Sequence, residues 1–600
     1  MKQFFKYMFA STLGTVLGFI IIILVLGIAV SAAIGSAMMV AQGGEQVEIK
    51  ENSLLVLDMT KRIVERERPS FLDNLEIEEF EDEKGIALSR VLKGIEDAKE
   101  DERIKGILLK GNAFHGSLSA MKDVRDALMD FKSSGKFVLA YDELYTQGAY
   151  YVATAADDLY IFKEGMLDLR GLRSEIAFFK NAMDKLGIKA TVVRGPDNEY
   201  KSAVEPFTRE SMSEANRMQL SQLLKRLWEE IGGSIAEARG LTMDELDSIA
   251  NNLLVKDPED AYALGLVDGV MYYDEVLRIL RSKLSIEEDD DIETIEIDKY
   301  TKKALPGKKG EKSWELKDEI ALVYAVGSIG SGEGDDETIG SNTLAKAIRD
   351  ARKDDDIKAI VMRVSSPGGS ALASEVIWRE VKLAAESKPF IISFGPVAAS
   401  GGYYISTHAD RIFASPNTIT GSIGVFGLLP DVRGLVTDKM GITFDNVKTH
   451  RHADFGSMTR GFDDAEMALI EHYVNETYQD FIEKVADGRN LDIDYVDSIA
   501  RGRIWIGTDA LEIGLVDEFG DLDDAIKYAA SQAGLDDYEL KELPKQKDPL
   551  EELLKGLSAE ARIALAEWAL GEDVRWIKSL DEMKEMKGVQ MRILYDFPVE

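Results

Sequence analysis

The chain has 600 residues, more than one hydrophobic core usually serves, and this length predicts at least two domains. It carries 72 Lys and Arg against 108 Asp and Glu, a formal net charge of −36, so nucleic acid is not an expected partner. The absence of cysteine excludes disulfides, thiolate nucleophiles and cysteine-based metal sites.

The N-terminal region predicts a membrane anchor. No charged residue occurs between Lys6 and Glu45, and the middle of that stretch, residues 19–26, is continuously apolar. Such a run is long enough to cross a hydrocarbon core of roughly 30 Å as a helix. A cleavable signal peptide is the alternative interpretation, because small residues follow the apolar run, although its apolar region would be unusually long.

The charges beside the apolar run predict its orientation. Lys2 and Lys6 precede it, whereas three glutamates outnumber Lys50 just after it. The positive-inside rule therefore places the N-terminus in the cytoplasm and the remaining chain on the outer, periplasmic face of the inner membrane. We expect residues 1–45 to hold the protein in the lipid bilayer as a single-pass helix.

An internal duplication is the most informative pattern in the chain. Three segments of the first half recur in the second half at nearly constant offsets of 253, 253 and 249 residues. They are residues 95–110 and 348–363, residues 148–157 and 401–410, and residues 260–268 and 509–517. A register held over such distances indicates two copies of one structural unit.

Each copy is predicted to alternate helices with strands, which indicates an α/β fold of tandem units with parallel sheets. In the second copy, hydrophobic periodicity predicts two helices, two strands and a glycine-containing turn. In chain order these are a helix over 343–353, a strand over 359–364, the turn at 367–369, a helix over 371–385 and a strand over 390–394.

These patterns divide the chain into five segments. After the anchor come an N-terminal unit (46–285), a charged linker (286–318), a C-terminal unit (319–539) and a helical tail (540–600). The linker is crowded with Asp, Glu and Lys, so we expect it to be solvated with little fixed structure. Apolar residues at helical spacing in the tail predict an amphipathic helix pair that packs against the C-terminal unit.

One serine of the second copy has the surroundings of a nucleophile. Ser400 lies between small residues, just after a predicted strand and at the start of a predicted helix. Small neighbours let a substrate backbone approach, and the N–H groups and dipole of a helix N-terminus stabilise a developing oxyanion. Gly368 and Gly369 offer further backbone donors at the end of the preceding strand. On these grounds alone, a structural Ser-Gly-Gly turn is the alternative.

Four motifs together closely resemble the signal peptide peptidase A (protease IV) family in its long two-repeat form. They are residues 200–207 (Tyr-Lys-Ser-Ala-Val-Glu-Pro-Phe), 366–370 (Ser-Pro-Gly-Gly-Ser), 399–403 (Ala-Ser-Gly-Gly-Tyr) and 420–424 (Thr-Gly-Ser-Ile-Gly). The resemblance covers nearly the whole chain except the tail. It implies a Clp protease/crotonase-like fold and a serine endopeptidase with a Ser/Lys dyad.

The resemblance also implies residue roles. Ser400 would be the nucleophile, Lys201 the general base, and Ser422 a hydroxyl that orients the lysine. The oxyanion hole would be formed by backbone N–H groups of Gly401 and of Gly368 or Gly369. A lysine base must be neutral, so we expect burial to lower the pKa of Lys201 from its usual value of roughly 10.4.

The duplication supports these roles independently. Gln147 occupies the position equivalent to Ser400, so the first copy has no nucleophile there. The equivalent of Lys201 falls within residues 450–454, which read His-Arg-His-Ala-Asp, so the second copy has no lysine there. Each half keeps one member of the dyad, and a complete site needs both halves.

The predicted location and the resemblance together imply the substrates. These are cleaved signal peptides and other short apolar peptides in extended form. A ring-like homotetramer with active sites facing an inner chamber is also implied. We expect no metal ion and no cofactor.

Other interpretations of the same residues remain open. A triad of Ser400, His452 and Asp454 has the right residue types but no spacing argument, and His450 with His452 hints at a metal without further ligands. A crotonase-type acyl-CoA enzyme would share the fold, but its chemistry requires neither the anchor nor the paired Ser400 and Lys201. A catalytically silent membrane scaffold would not need the dyad.

Overall fold

The computed structural model describes residues 49–68, 85–195, 197–304, 318–335, 337–546 and 589–592. The predicted anchor and the predicted tail helices lie outside these ranges. Among the helices that are described, none combines the length and the apolar character needed to span a bilayer.

The described part of the N-terminal half contributes nine strands. In chain order they are β1 (Ser53–Asp58), β2 (Ile63–Val64), β3 (Ile86–Ala87), β4 (Ile104–Lys110), β5 (Phe137–Tyr145), β6 (Asp158–Leu167), β7 (Lys189–Arg194), β8 (Gly269–Met271) and β9 (Thr294–Glu296). Six of them form a parallel sheet in the order β8-β6-β5-β4-β1-β9. The central strands are apolar nearly throughout, because a parallel sheet is covered on both faces.

Helices connect these strands and cover the sheet. In chain order they are α1 (Leu88–Glu100), α2 (Leu118–Lys132), α3 (Gln147–Ala153), α4 (Lys180–Leu186), α5 (Glu205–Thr208), α6 (Glu214–Arg239), α7 (Met243–Asn251), α8 (Pro258–Ala263), α9 (Tyr273–Leu284) and α10 (Ile297–Ala304). A 3₁₀ turn spans Ser202–Val204. In α1, the apolar residues Val91, Ile95 and Ala98 recur at helical spacing and are all buried against the sheet.

The C-terminal half repeats this plan with thirteen described strands. They are β10 (Glu319–Val326), β11 (Ser328–Gly330), β12 (Thr338–Gly340), β13 (Ile357–Ser366), β14 (Gly368–Ser370), β15 (Phe390–Ala399), β16 (Arg411–Ala414), β17 (Ile419–Gly421), β18 (Phe426–Asp431), β19 (Ile504–Ile506), β20 (Glu518–Phe519), β21 (Glu539–Leu543) and β22 (Val589–Arg592). The main sheet runs β19-β17-β15-β13-β10-β21, and β16 joins β15 to β20.

The helices of the second half match those of the first. They are α11 (Ser341–Lys353), α12 (Ala371–Ala385), α13 (Gly401–Tyr404), α14 (Asp464–Arg489), α15 (Ile493–Ile499), α16 (Gly507–Glu512) and α17 (Leu522–Ala533), with a π-helical turn at Gly434–Lys439. The helices and strands predicted for this copy are confirmed. The predicted turn at 367–369 is wrong, because Gly368–Ser370 forms β14 between partners on both sides.

The segment predicted as a linker is partly ordered, which corrects that prediction. Its residues 294–304 form β9 and α10, and β9 pairs with β1 in the first sheet. Ile295, Ile297 and Tyr300 are buried in the first core, so the apolar spacing of these residues outweighs the charged run that precedes them. The first unit therefore extends at least to residue 304.

The described parts of the predicted helical tail contain strands and no helix, which is a second correction. β21 begins before the predicted boundary at 540 and extends the second sheet by parallel pairing with β10. β22 pairs antiparallel with both β14 and β18. Both strands therefore belong to the second unit, against which the tail was expected to pack.

A third sheet joins the two halves and positions the site. Its strand order is β12-β11-β14-β22-β18-β7, so a strand of the first repeat lies at the edge of a sheet of the second. β7 pairs antiparallel with all six residues of β18. An ion pair between the two halves adds to this junction, with Nε of the buried Arg363 donating to Oε2 of the partly buried Glu65 at 2.7 Å.

Candidate active site

Ser400 stands at a sharp strand-to-helix junction, as its sequence surroundings predict. β15 ends at Ala399 and α13 begins at Gly401, and Ser400 between them has φ 56° and ψ −114°. A positive φ is strained for a residue with a side chain, and such strain concentrates at functional sites. The Ser400 N–H donates to the Gly421 carbonyl at 2.8 Å, which ties the junction to β17.

The three predicted oxyanion glycines lie against one another beside Ser400. A Cβ built on Gly368, whose φ is +95°, would lie 2.7 Å from the Gly401 nitrogen, and one built on Gly401 would lie 3.2 Å from the Gly369 nitrogen. Gly401 is the first residue of α13, where an N–H has no partner within its own helix. The Gly368 N–H donates to Ser366 Oγ at 3.1 Å. Gly401 is therefore the better placed donor for an oxyanion.

Lys201 reaches Ser400 across the junction between the repeats. Its side chain is buried, with the residue 1% exposed, and its Nζ lies 2.7 Å from Ser400 Oγ. The same nitrogen lies 2.7 Å from the Ser422 carbonyl oxygen and 2.9 Å from Ser422 Oγ. The structure thus brings together the three side chains singled out in the sequence.

Burial holds the pKa of Lys201 well below its usual value, and no acidic group of the described residues counteracts this effect. The contacts fit a neutral amine, which has two N–H donors and one lone pair. The Ser422 carbonyl can only accept, and Ser422 Oγ can accept because its own hydroxyl faces the Gly502 carbonyl at 3.4 Å. The remaining lone pair then faces the Ser400 hydroxyl, which is the arrangement that proton abstraction requires.

Residues of both repeats hold Lys201 in place, and no sequence motif indicated them. A Cβ on Gly502, whose φ is +81°, would lie 2.6 Å from the Lys201 Cβ, so only glycine permits this approach. Gln219 of α6 donates from Nε2 to the Tyr200 carbonyl at 3.0 Å and accepts from the Ile504 N–H at 3.4 Å. These contacts join positions up to 285 residues apart, so no local pattern could reveal them.

The histidine alternative is not supported by the geometry. His452 Nδ1 lies 3.3 Å from Glu466 Oε1 on a partly exposed surface, whereas the neighbour of Ser400 Oγ is Lys201. Asp454 is engaged by Lys448 and by Arg460, at 2.9 Å and 2.8 Å. The three residues proposed as a Ser-His-Asp triad therefore have separate partners.

One cluster of possible metal ligands occurs in the described ranges. Ligand atoms of His452, Asp463 and Glu466 lie within 4.8 Å of one another. Both Glu466 carboxylate oxygens already accept bonds from the Arg460 guanidinium, at 2.8 and 2.6 Å. A cation would compete there with a fixed positive charge, so this cluster suits an ion-pair network better than a metal ion.

The equivalent position in the first repeat has a structural role. Gln147 begins α3 where Ser400 precedes α13, and its Oε1 accepts the N–H groups of Arg170 and Gly171 at 3.1 and 2.8 Å. Its Nε2 donates to the Gly171 carbonyl at 3.2 Å. An amide committed to the backbone in this way is not a nucleophile, as the duplication predicted.

Comparison with known proteins places both repeats in one family. Residues 130–287 and 382–536 match the model of Peptidase family S49. Protease 4 of Haemophilus influenzae is 37% identical over 456 residues, which cover 74% of this chain and 72% of that protein. The chloroplastic serine protease SPPA of Arabidopsis thaliana is 32% identical over 522 residues, covering 85% and 74%.

One solved structure also aligns with part of the chain. A point mutant of ClpP1 from Listeria monocytogenes covers 34% of this chain and 94% of its own, at 13% identity and a TM-score of 0.22. A score this low carries no argument about the fold. The α/β fold with two repeats is confirmed, and the Clp protease/crotonase-like assignment stays a prediction.

Proposed function

The chain belongs to Peptidase family S49 and is a serine peptidase, and from that premise we propose a membrane-anchored endopeptidase with a Ser400/Lys201 dyad. The observation that carries the dyad is the buried Lys201 Nζ, which lies 2.7 Å from Ser400 Oγ and has no acidic partner in the described part of the chain. A crotonase-type enzyme or a silent scaffold would have no need of this contact.

In the proposed cycle, Ser400 Oγ attacks the carbonyl carbon of a peptide bond while Lys201 Nζ takes the hydroxyl proton. Lys201 then gives that proton to the leaving amine, and water hydrolyses the acyl-enzyme by the same steps. Ser422 holds the amine with its carbonyl and hydroxyl oxygens, and the Gly401 N–H donates to the oxyanion, with Gly368 and Gly369 beside it. No metal or cofactor has a part in these steps.

We propose cleaved signal peptides and other short apolar peptides as substrates. The resemblance of the four sequence motifs to the signal peptide peptidase A family supports this class. The uncharged N-terminal stretch supports a single-pass anchor in the inner membrane, with the catalytic part on the outer face. An enzyme placed there would meet signal peptides in the membrane where they are released.

We also propose that copies of the chain assemble head to tail, as the implied homotetramer requires. Residues 184–188 recur as residues 438–442, so residues 443–448 are the counterpart of β7, and residues 173–178 are the counterpart of β18. β7 and β18 pair within the chain. Neither counterpart segment is part of a strand in the described structure, and residues 443–448 are exposed throughout.

The proposed assembly pairs residues 443–448 of one copy with residues 173–178 of the next. A contact between two different surfaces closes into a ring when its rotation permits. We expect Phe444→Asp to shift the protein to a smaller species in sedimentation, while Tyr262→Asp, also at an exposed aromatic residue, changes nothing. A wild-type monomer would contradict the assembly.

The dyad and the anchor can be tested on membranes from cells that express the full chain. We expect a fluorophosphonate probe to label the protein in the membrane fraction, with the adduct on Ser400 by mass spectrometry, and an apolar fluorogenic peptide to be hydrolysed. His452→Ala should label and hydrolyse as the wild type does. An adduct on another residue would refute the nucleophile, and labelled protein only in the soluble fraction would refute the anchor.

A further inference from the structure

The segment Arg501–Ile504 of the second repeat, here called the clamp segment, holds two parts of the site through its main chain. The Arg501 carbonyl accepts the Tyr200 N–H at 3.2 Å, and the Arg503 carbonyl accepts the Ser422 N–H at 2.7 Å. One short stretch therefore fixes both the residue before the proposed general base and the residue proposed to orient that base.

The clamp segment has a strained backbone at the point where it meets the site. Arg501 and Gly502 are two successive residues with positive φ, 53° and 81°. This conformation is unfavourable for the arginine, and such strain persists mainly where a functional site requires it. The Gly502 N–H donates to the Ile423 carbonyl at 2.8 Å, and the Gly502 carbonyl faces Ser422 Oγ at 3.4 Å. The strained turn thus serves the strand end that carries Ser422.

Gln219 of α6 connects the clamp segment to the segment of the lysine. Its Nε2 donates to the Tyr200 carbonyl at 3.0 Å and to Ser202 Oγ at 3.2 Å, on the two sides of Lys201 in the chain. Its Oε1 accepts the Ile504 N–H at 3.4 Å, and the residue is 3% exposed. A single buried amide therefore joins both neighbours of the lysine to the second repeat.

The internal duplication supports a role for this amide beyond packing. The helices α6 and α14 have 26 residues each and end at a left-handed cap, so Leu469 is the counterpart of Gln219. Leu253 is the counterpart of Gly502 at the offset of 249 residues, and it keeps a positive φ of 48°. The glutamine accompanies the lysine in the first repeat, and the glycine accompanies the nucleophile in the second.

We propose that Gln219 is a positioning residue, which fixes the segment of Lys201 on the clamp segment and so holds the amine against the Ser400 hydroxyl. This inference rests on the proposed function, because it takes Lys201 as the general base. The clamp segment also fixes Ser422, whose two oxygens bind the same amine. Both partners of the proton transfer are thereby referred to one short piece of main chain.

Gln219→Met in the full chain tests the proposal, because methionine has a similar length but makes none of these hydrogen bonds. We expect kcat for an apolar fluorogenic peptide to fall by about 10²-fold, the usual effect of a misplaced catalytic group. KM should stay unchanged, because the amide is buried and bonded within the chain.

Gln222→Met is the matched control on the same helix and at the same junction. Gln222 Oε1 accepts from Arg503 Nη2 at 2.7 Å, so its loss weakens docking of the repeats without touching the neighbours of the lysine. This variant should unfold at lower urea concentration and keep the wild-type kcat. An equal fall of kcat in both variants would show that docking alone matters, and it would overturn the positioning role.

The pH profile gives a second readout, which loss of stability alone would not move. A loosened Lys201 admits water, so its pKa should rise toward the usual value and the acid limb of kcat/KM should shift to higher pH. Gln219→Glu keeps an acceptor for the Ile504 N–H, so it can replace Gln219→Met if that variant does not fold. It should shift the limb in the same direction, and an unshifted limb in either folded variant contradicts the proposal.

A double-mutant cycle identifies the residue through which Gln219 acts. In the Lys201→Met background, Gln219→Met should cause no further loss of the residual kcat/KM, because the residue that it positions is already absent. A further loss of about 10²-fold would overturn the positioning role. Full activity of the single Lys201→Met variant would instead overturn the proposed general base, and that result is obtained with Gln219 intact.

Discussion

Lys201→Met is expected to lower kcat/KM for an apolar peptide by a factor of about 10⁴, the upper range for loss of a general base. Methionine fills a similar volume but cannot take the Ser400 proton. No other basic side chain contacts Ser400 Oγ in the described structure, so no group can substitute for the lysine. Lys225→Met, at an exposed lysine of α6, should retain wild-type kinetics. Activity within about tenfold of wild type would refute the lysine base.

The stability of the same variant also tests the burial of Lys201, through the pH dependence of the free energy of unfolding. The folded-state pKa of Lys201 is lowered, so the unfolded chain binds more protons and wild-type stability falls as the pH decreases from about 10.4 toward the folded pKa. Lys201→Met has no such loss and should resist urea better than wild type at neutral pH. The difference in free energy of unfolding between Lys201→Met and wild type should narrow as the pH rises. A difference that does not change with pH would contradict a lowered pKa of the buried Lys201.

Gly368→Ala is expected to lower kcat/KM by about 10²–10³, the usual cost of disturbing one side of an oxyanion site. The added Cβ would lie 2.7 Å from the Gly401 nitrogen, the proposed oxyanion donor, and 2.1 Å from the Met591 carbonyl oxygen, so the backbone around that donor must shift. The positive φ of +95° adds strain of about 1–2 kcal/mol.

Gly332→Ala is the matched control for this substitution. Gly332 has a similar φ of +91°, but a Cβ there meets no atom within 4 Å. The Gly332→Ala variant should therefore lose stability through backbone strain and keep its kcat/KM. Equal activity of the two variants in peptide hydrolysis would show that the close packing of Gly368 against the Gly401 nitrogen is unimportant for catalysis.

The sequence was sufficient to find the three central side chains because two kinds of signal coincided. The motifs around Lys201, Ser400 and Ser422 are short and local, and the duplication shows which half lacks each member. The burial of Lys201 could be expected from the chemistry alone, since a charged lysine cannot accept a proton. Local apolar spacing also predicted α12 with the bounds that it has in the structure.

The remainder depends on contacts between distant segments. Gln219 and Gly502 support Lys201 only because the two repeats dock, and neither residue stands out in its own sequence. The strand β9 was predicted as part of a linker because a charged run precedes it, whereas its pairing with β1 determines its conformation. The partner strands of β14 likewise come from elsewhere in the chain. Gly368 and Gly369, which by themselves predict a turn, therefore form a strand.

The division of the site between the two repeats has a consequence for biosynthesis. Lys201 is added to the growing chain 199 residues before Ser400, and it has no Ser400 hydroxyl to activate until the second repeat has folded against the first. β7 must also wait for β18 before its sheet can form. On the proposed roles, a growing or truncated chain is inert, and hydrolytic capacity arises only when the whole protein has been made and docked.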